Sequence, residues 1–153
     1  MASTRGTQYL KKQKISFTIH TYDHKVKGAE FAAESTNIPL SRMIKTLVVE
    51  LADGFVFALM PGDRTLSLKK LGRIAVSKTA SMSSTRDAER LTGYQVGGIS
   101  PFGSKRTLKI YMDQSLSDHD EIAINGGGRG IIVSLSSKDL IDVLKPTVED
   151  IAE

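Results

Sequence analysis

The 153-residue chain contains no cysteine. That absence removes disulfides, a cysteine nucleophile and every thiolate metal site, so any sulfur chemistry has to come from a ligand. No window approaches the roughly 18 unbroken apolar residues that a bilayer span requires, which excludes a membrane-embedded protein and a membrane partner. The stretch Met1 to Lys14 is polar and lacks an apolar core and a small-residue cleavage site. Nothing in it marks the chain for secretion, and a cytoplasmic location is expected. The Gly-Lys-Ser/Thr ending of a phosphate-binding P-loop and the spacing of a dinucleotide fingerprint are also missing. Internal repeats, linkers and low-complexity tracts are absent as well.

What is present is globular composition, 40% apolar and 25% charged, at a length that suits one domain spanning residues 1–153. The formal charge of +4 conceals a division. Residues 1–110 hold 18 basic and 8 acidic side chains, whereas residues 111–153 hold 3 and 9. A basic body of this kind steers toward polyanions, because Lys and Arg release condensed counterions when they meet phosphates.

Apolar periodicity places the elements. Ile15, Phe17 and Ile19 alternate with polar residues, so a strand is predicted there, with His20 and Tyr22 on its polar face. Ala29 to Thr36 reads as a helix that ends before Pro39. Lys45–Leu51 and Phe55–Met60 flank a short Ala-Asp-Gly turn and predict an antiparallel hairpin, whose second arm is apolar without alternation and so buried on both faces. Ser67–Leu71 predicts a helix stopped by Gly72, and Ser84 caps a helix running to Gly93. Leu108–Met112 is a further strand. Ile122–Ile124 and Ile131–Leu135 form a second hairpin, and Ser136 caps a last helix that ends before Pro146. Strand-rich order with irregular helices predicts the α+β (mixed α/β) class, one domain around a curled mixed sheet.

Two glycine clusters are candidate sites. Gly97 to Gly103 lies between a helix and a strand, where glycine permits close backbone approach to a ligand, or merely relieves strain in a turn. Gly126 to Gly130 fits hairpin-turn chemistry. Lys45 opens an otherwise apolar strand, either as a solvated end or as a cation aimed into a cleft. Asp139 stands at the third helical position after Ser136, which a capping box explains. His20 and His24 carry the spacing of a helical metal pair, but on a strand that spacing separates the imidazoles, so no metal and no cofactor are expected.

Five segments in register, Ile15–Tyr22, Lys45-Thr46-Leu47, Leu66–Gly72, Thr92–Gly103 and the Gly-Gly-Arg-Gly run at 127–130, resemble the YbaK family of bacterial Cys-tRNA(Pro) deacylases. These are freestanding relatives of the editing domain inserted in bacterial prolyl-tRNA synthetase. The likeness spans about residues 13–145. It implies a curled mixed sheet with surrounding helices, and hydrolysis of the ester joining a wrong amino acid to the tRNA 3′ end, without metal or protein nucleophile. Carried over residue by residue, Lys45 is the central functional residue. Tyr22, Gly98, Ser100 and Asp139 become substrate-binding positions, Gly98 and Ser100 through backbone amides.

The partners implied are aminoacylated tRNA and prolyl-tRNA synthetase. Lys69, Lys70, Arg73, Lys78, Lys105 and Arg106 are the basic residues expected on tRNA phosphates. A cysteinyl substrate is expected to supply its own thiol, which attacks its own ester carbonyl and leaves as a cyclic thioester. The stretch from His24 to Met43 is shorter than in cysteine-specific relatives, so another small amino acid such as alanine is the alternative substrate. A non-catalytic binder of tRNA ends or of the synthetase is the alternative of another class.

Overall fold

The computed structural model describes residues 3–23, 25 and 29–153. Among these, no helix is long and apolar enough to cross a membrane. Eight strands form one sheet in the order β1-β7-β6-β2-β3-β5-β8, with β4 paired to β2 off this path. The strands are β1 (Thr18–Thr21), β2 (Met43–Leu51), β3 (Gly54–Pro61), β4 (Ala80–Met82), β5 (Lys109–Asp113), β6 (Glu121–Asn125), β7 (Ile131–Ser136) and β8 (Thr147–Glu149). Five helices surround them: α1 (Arg5–Lys12), α2 (Ala29–Thr36), α3 (Leu68–Ile74), α4 (Thr85–Thr92) and α5 (Ser137–Leu144). The sheet is mixed, because β2 runs parallel to β6, and β5 parallel to both β3 and β8, while the remaining pairs are antiparallel.

Both predicted hairpins form, β2–β3 about Ala52-Asp53 and β6–β7 about the Gly126–Gly130 turn. β3 is buried along nearly its whole length, as a strand apolar on both faces has to be. The serine caps also form. Ser67, Ser84 and Ser136 each accept a hydrogen bond from the backbone N–H three residues on, which satisfies a donor that the first helical turn leaves unpaired.

Two expectations are corrected, for α3 and for the first strand, and two elements appear that the periodicity does not predict. α3 continues through Gly72 to Ile74, because the residue that takes the left-handed conformation after it is Val76 (φ 53°) and not the glycine. Ser81 belongs to the short strand β4, which pairs with Glu50. The strand predicted over Ile15–Tyr22 is paired only at Thr18–Thr21. The N-terminal segment is helical: Thr4 and Thr7 cap α1 reciprocally, and its buried face is Gly6, Thr7 and Leu10.

Alternation along β2 divides the core. Ile44 and Val48 enter a large apolar cluster with Phe57, Leu59, Ile122, Ile124, Val133 and Leu140. On the opposite face Val49 and Leu51 join Met60, Leu71 and Tyr111 beneath α3, and Met43 joins Ala32, Ile38, Ala123 and Ile132 beside α2. Lys45 therefore projects on the face carrying the two smaller clusters, between them.

Candidate active site

β2 changes partner on one edge. Met43 and Ile44 pair with β6, and Val49 to Leu51 pair with β4, so no strand among the described residues covers Lys45 to Val48 on that side. Above this gap lies a cleft of about 270 Å³. Lys45, Thr46, Tyr22, Asn125, Gly97 and Ile99 line it, with apolar walls from Met43, Leu47, Val96 and Ile132. Because the sheet is open there, side chains from both faces of β2 reach one cavity. Lys45 donates from Nζ to the backbone carbonyl of Arg64 at 2.6 Å, which fixes the ammonium at the cleft margin. Tyr22 lies on the strand end expected, with its N–H on the Gly130 carbonyl at 3.0 Å. Burial pushes its phenol above the ordinary tyrosine range, against a smaller opposing effect of the Gly130 backbone.

The two glycine clusters form one structure. Gly128 donates its N–H to the Gly98 carbonyl at 2.9 Å, and a Cβ on Gly98 would lie 2.6 Å from the backbone of Gly128 and Arg129. Only glycine permits that approach. Asn125 joins the loops by donating to the Gly97 carbonyl at 3.2 Å while its Oδ1 accepts from Gly127 N–H at 2.7 Å. Arg129 adds a bond from Nε to the Val96 carbonyl at 3.0 Å. On the outer side Thr4 donates to the Gly126 carbonyl at 2.6 Å, and Arg5 binds the carbonyls of Thr92 and Gly103.

The site residues expected from the sequence are brought together only in part. Lys45, Tyr22 and the Gly97–Ile99 arc converge on the cleft. Gly98 and Ser100 shape the arc instead of facing the cavity: the Gly98 N–H is taken by the Gln95 carbonyl, and the fully buried Ser100 accepts the Phe102 N–H. Asp139 is not among the cleft residues. It stands in the first turn of α5, where its backbone N–H donates to Ser136 Oγ and a carboxylate is favoured by the helix dipole. His24 lies outside the described residues, and His20 pairs with Ser134 at 2.9 Å. Asn125 and Thr46 were missed. The only signal for Asn125 was its place at the head of the Gly-rich turn, and for Thr46 its place beside Lys45.

The basic residues also separate. Lys69 and Arg73 are exposed on α3 and Lys78 in the turn after it, over the sheet face from which Lys45 projects. Lys105 and Arg106 are exposed in the loop before β5. Arg106 lines a separate cavity with Phe57, Leu108 and Val143, which belong to the core on the other face. Lys70 is engaged, donating to Asp150 at 3.1 Å and to the Ala152 carbonyl at 2.7 Å, and it therefore braces the C-terminal segment.

The profile of the aminoacyl-tRNA editing domain matches residues 23–143. The chain belongs to the aminoacyl-tRNA editing domain family. The editing domain is 31% identical over 145 residues, 92% of this chain and 87% of the other, to EbsC of Enterococcus faecalis, named as a candidate Cys-tRNA(Pro)/Cys-tRNA(Cys) deacylase. It is 30% identical over 105 residues to a proline–tRNA ligase of Thermosipho africanus, covering 69% of this chain and 18% of the ligase. A solved structure described as a candidate trans-editing enzyme for prolyl-tRNA synthetase shares the fold, with a TM-score of 0.89 over 100% of this chain and 99% of the other at 21% identity.

Proposed function

We propose that the chain is an aminoacyl-tRNA deacylase that clears Cys-tRNA(Pro) in trans beside prolyl-tRNA synthetase. The observation that carries this reading is Lys45 held at an open strand edge, in a cleft small enough for a single aminoacyl group. A tRNA 3′ end is a polyanion, and the ammonium of Lys45 is the cation on the cleft wall that attracts it. Apolar walls at Met43, Leu47 and Val96 suit a short side chain and exclude water from the ester.

The chain has no thiol of its own. The cysteinyl substrate supplies one: its sulfur attacks its own ester carbonyl, the thiol proton passes to the departing ribose oxygen, and a four-membered thiolactone leaves for hydrolysis in solution. Making the attack intramolecular removes the entropy cost of bringing thiol and carbonyl together, which offsets part of the strain of the four-membered ring. The work of the protein is then positional, with Lys45 anchoring the nucleotide end.

Incubation with Cys-, Ser-, Ala- and Pro-tRNA(Pro) tests the reading. Rapid release of cysteine alone supports it. Equal release of serine and cysteine refutes the thiol route, and rapid release of alanine reassigns the substrate. The Lys45→Ala variant should lose about 100-fold in turnover or more, the usual cost of misplacing a reacting group by about 1 Å. Its thermal stability should be nearly unchanged, since the only bond lost is one to a surface carbonyl. Wild-type turnover in that variant would refute the site.

A further inference from the structure

An aminoacyl ester brings an α-ammonium group into whatever cleft accepts it, and that group needs hydrogen-bond acceptors once it leaves water. Among the described residues, the cleft wall carries no carboxylate. Its other polar side chains are Lys45, a cation with donors only, Tyr22, and Asn125, whose Oδ1 is occupied by Gly127 N–H. Thr46 differs from these. Its Oγ1 is buried and, among the described residues, is the one buried side-chain oxygen or nitrogen with no hydrogen-bond partner.

The backbone of Thr46 is placed in the same way. Met43 directs its carbonyl to Gly62 N–H on the β3 side, and Val48 directs its carbonyl to Ser83 N–H on the opposite side. Strand alternation puts Thr46 in the same class as Val48, so its carbonyl faces the edge that neither β6 nor β4 covers. The carbonyl thus faces the gap, and the residue that carries the unpartnered Oγ1 lines the same cleft, one residue from the lysine that draws the nucleotide. A buried hydroxyl without a partner is costly, and a fold that gains nothing from it would place valine there, as it does at Val48 and Val49.

We propose that Thr46 is the positioning residue that holds the α-ammonium of the bound aminoacyl group, through Oγ1 and its own carbonyl. Lys45 and Thr46 project from opposite faces of β2, so a substrate lying across the open edge has its nucleotide on the Lys45 side and its amino group at Thr46. The inference rests on the deacylase reading for the identity of the ligand, and it is tested by binding, which requires no turnover.

The probes are two non-hydrolysable adenosine analogues, 3′-alanylamino-3′-deoxyadenosine and its deaminated 3′-propionylamino counterpart, titrated into the wild type, Thr46→Val and Thr46→Ser. A hydrogen bond to a charged group corresponds to about tenfold in affinity or more. The wild type should bind the alanyl analogue at least about tenfold more tightly than the propionyl one. Thr46→Val, which keeps the carbonyl, should lower that preference several-fold while leaving propionyl affinity unchanged, and Thr46→Ser should restore it. A merely structural role would lower both affinities together. Equal loss for both probes, an undiminished preference in Thr46→Val, or no binding of either probe by the wild type overturns the proposal. The tRNA release assay reports separately on the deacylase reading.

Discussion

Replacing Gly98 by alanine asks whether the two glycine loops are one unit. The added Cβ would stand 2.6 Å from the Arg129 nitrogen and the Gly128 carbonyl carbon, and 2.8 Å from Gly128 Cα. All three are backbone atoms, which have no rotamer by which to retreat. Overpacking of this kind costs about 1–3 kcal/mol. Separation of the loops also removes the Gly128 N–H bond to the Gly98 carbonyl, worth about 1 kcal/mol. The sum is about 2–4 kcal/mol, or a fall in melting temperature of roughly 5–15 °C for a chain of this size. The same displacement shifts Gly97 and Ile99 in the cleft wall, so affinity for an amide-linked aminoacyl-adenosine should fall at temperatures where the variant is folded. Gly72 supplies a control of opposite sign. It lies within α3, where a Cβ meets its nearest neighbours at 3.5 Å, an ordinary contact. Gly72→Ala should therefore stabilise by about 0.5–1 kcal/mol through helix propensity. Thermal unfolding followed by circular dichroism measures both. A Gly98→Ala melting temperature within about 2 °C of wild type would refute the claim that the loops are locked by contact.

Affinity for tRNA should fall with salt, and replacing Lys69, Arg73 and Lys78 together by alanine should reduce the slope of log affinity against log salt by about 2–3. Lys70→Ala should change that slope little, because its ammonium is committed to Asp150 and the Ala152 carbonyl; a larger change from Lys70 than from the other three would contradict the placement. Val76 holds a left-handed conformation (φ 53°) at the end of α3 while 91% exposed, so Val76→Gly should raise stability by about 1 kcal/mol in denaturant titration. Tyr94 donates its hydroxyl to the Phe102 carbonyl at 2.6 Å, and burial raises its pKa above 10.0 against the opposing Arg5 charge. The neutral phenol is thus the form the fold favours: its contribution is complete below pH 10 and is lost as pH rises through the raised value. Tyr94→Phe should remove one late-titrating phenol from the phenolate absorbance curve and cost about 1 kcal/mol at neutral pH. Loss of a phenol that titrates in the ordinary tyrosine range, with the late phase left in place, would show that Tyr94 ionises as a free tyrosine does.

Where local chemistry is decisive, the sequence alone determines the result. A serine three residues before a helical N–H, an Ala-Asp-Gly turn between apolar runs and an unbroken apolar strand each have one low-energy outcome, and α4, α5, β2, β3 and the second hairpin form as their residues predict. Tertiary structure decided the rest. The helix α1 has no apolar stripe to announce it, because its buried face is Gly6, Thr7 and Leu10 packed on the Gly126 turn, and only that turn makes small residues the right ones. Gly98, Ser100 and Asp139 were legible as residue types but not as directions. The Gly98 N–H turns to the Gln95 carbonyl and Ser100 to the Phe102 N–H within a loop that is packed against the Gly128 to Arg129 segment, 30 residues on in the chain. The basic residues form one class in sequence and two faces in space, since a sheet intervenes. The gap beside Lys45 is the extreme case. It arises because β6 and β4, about 40 residues apart in the chain, both pair with the same edge of β2 and fail to meet. No local pattern encodes the space between two strands, and that space is what turns a lysine at a strand end and an ordinary threonine into the walls of a site.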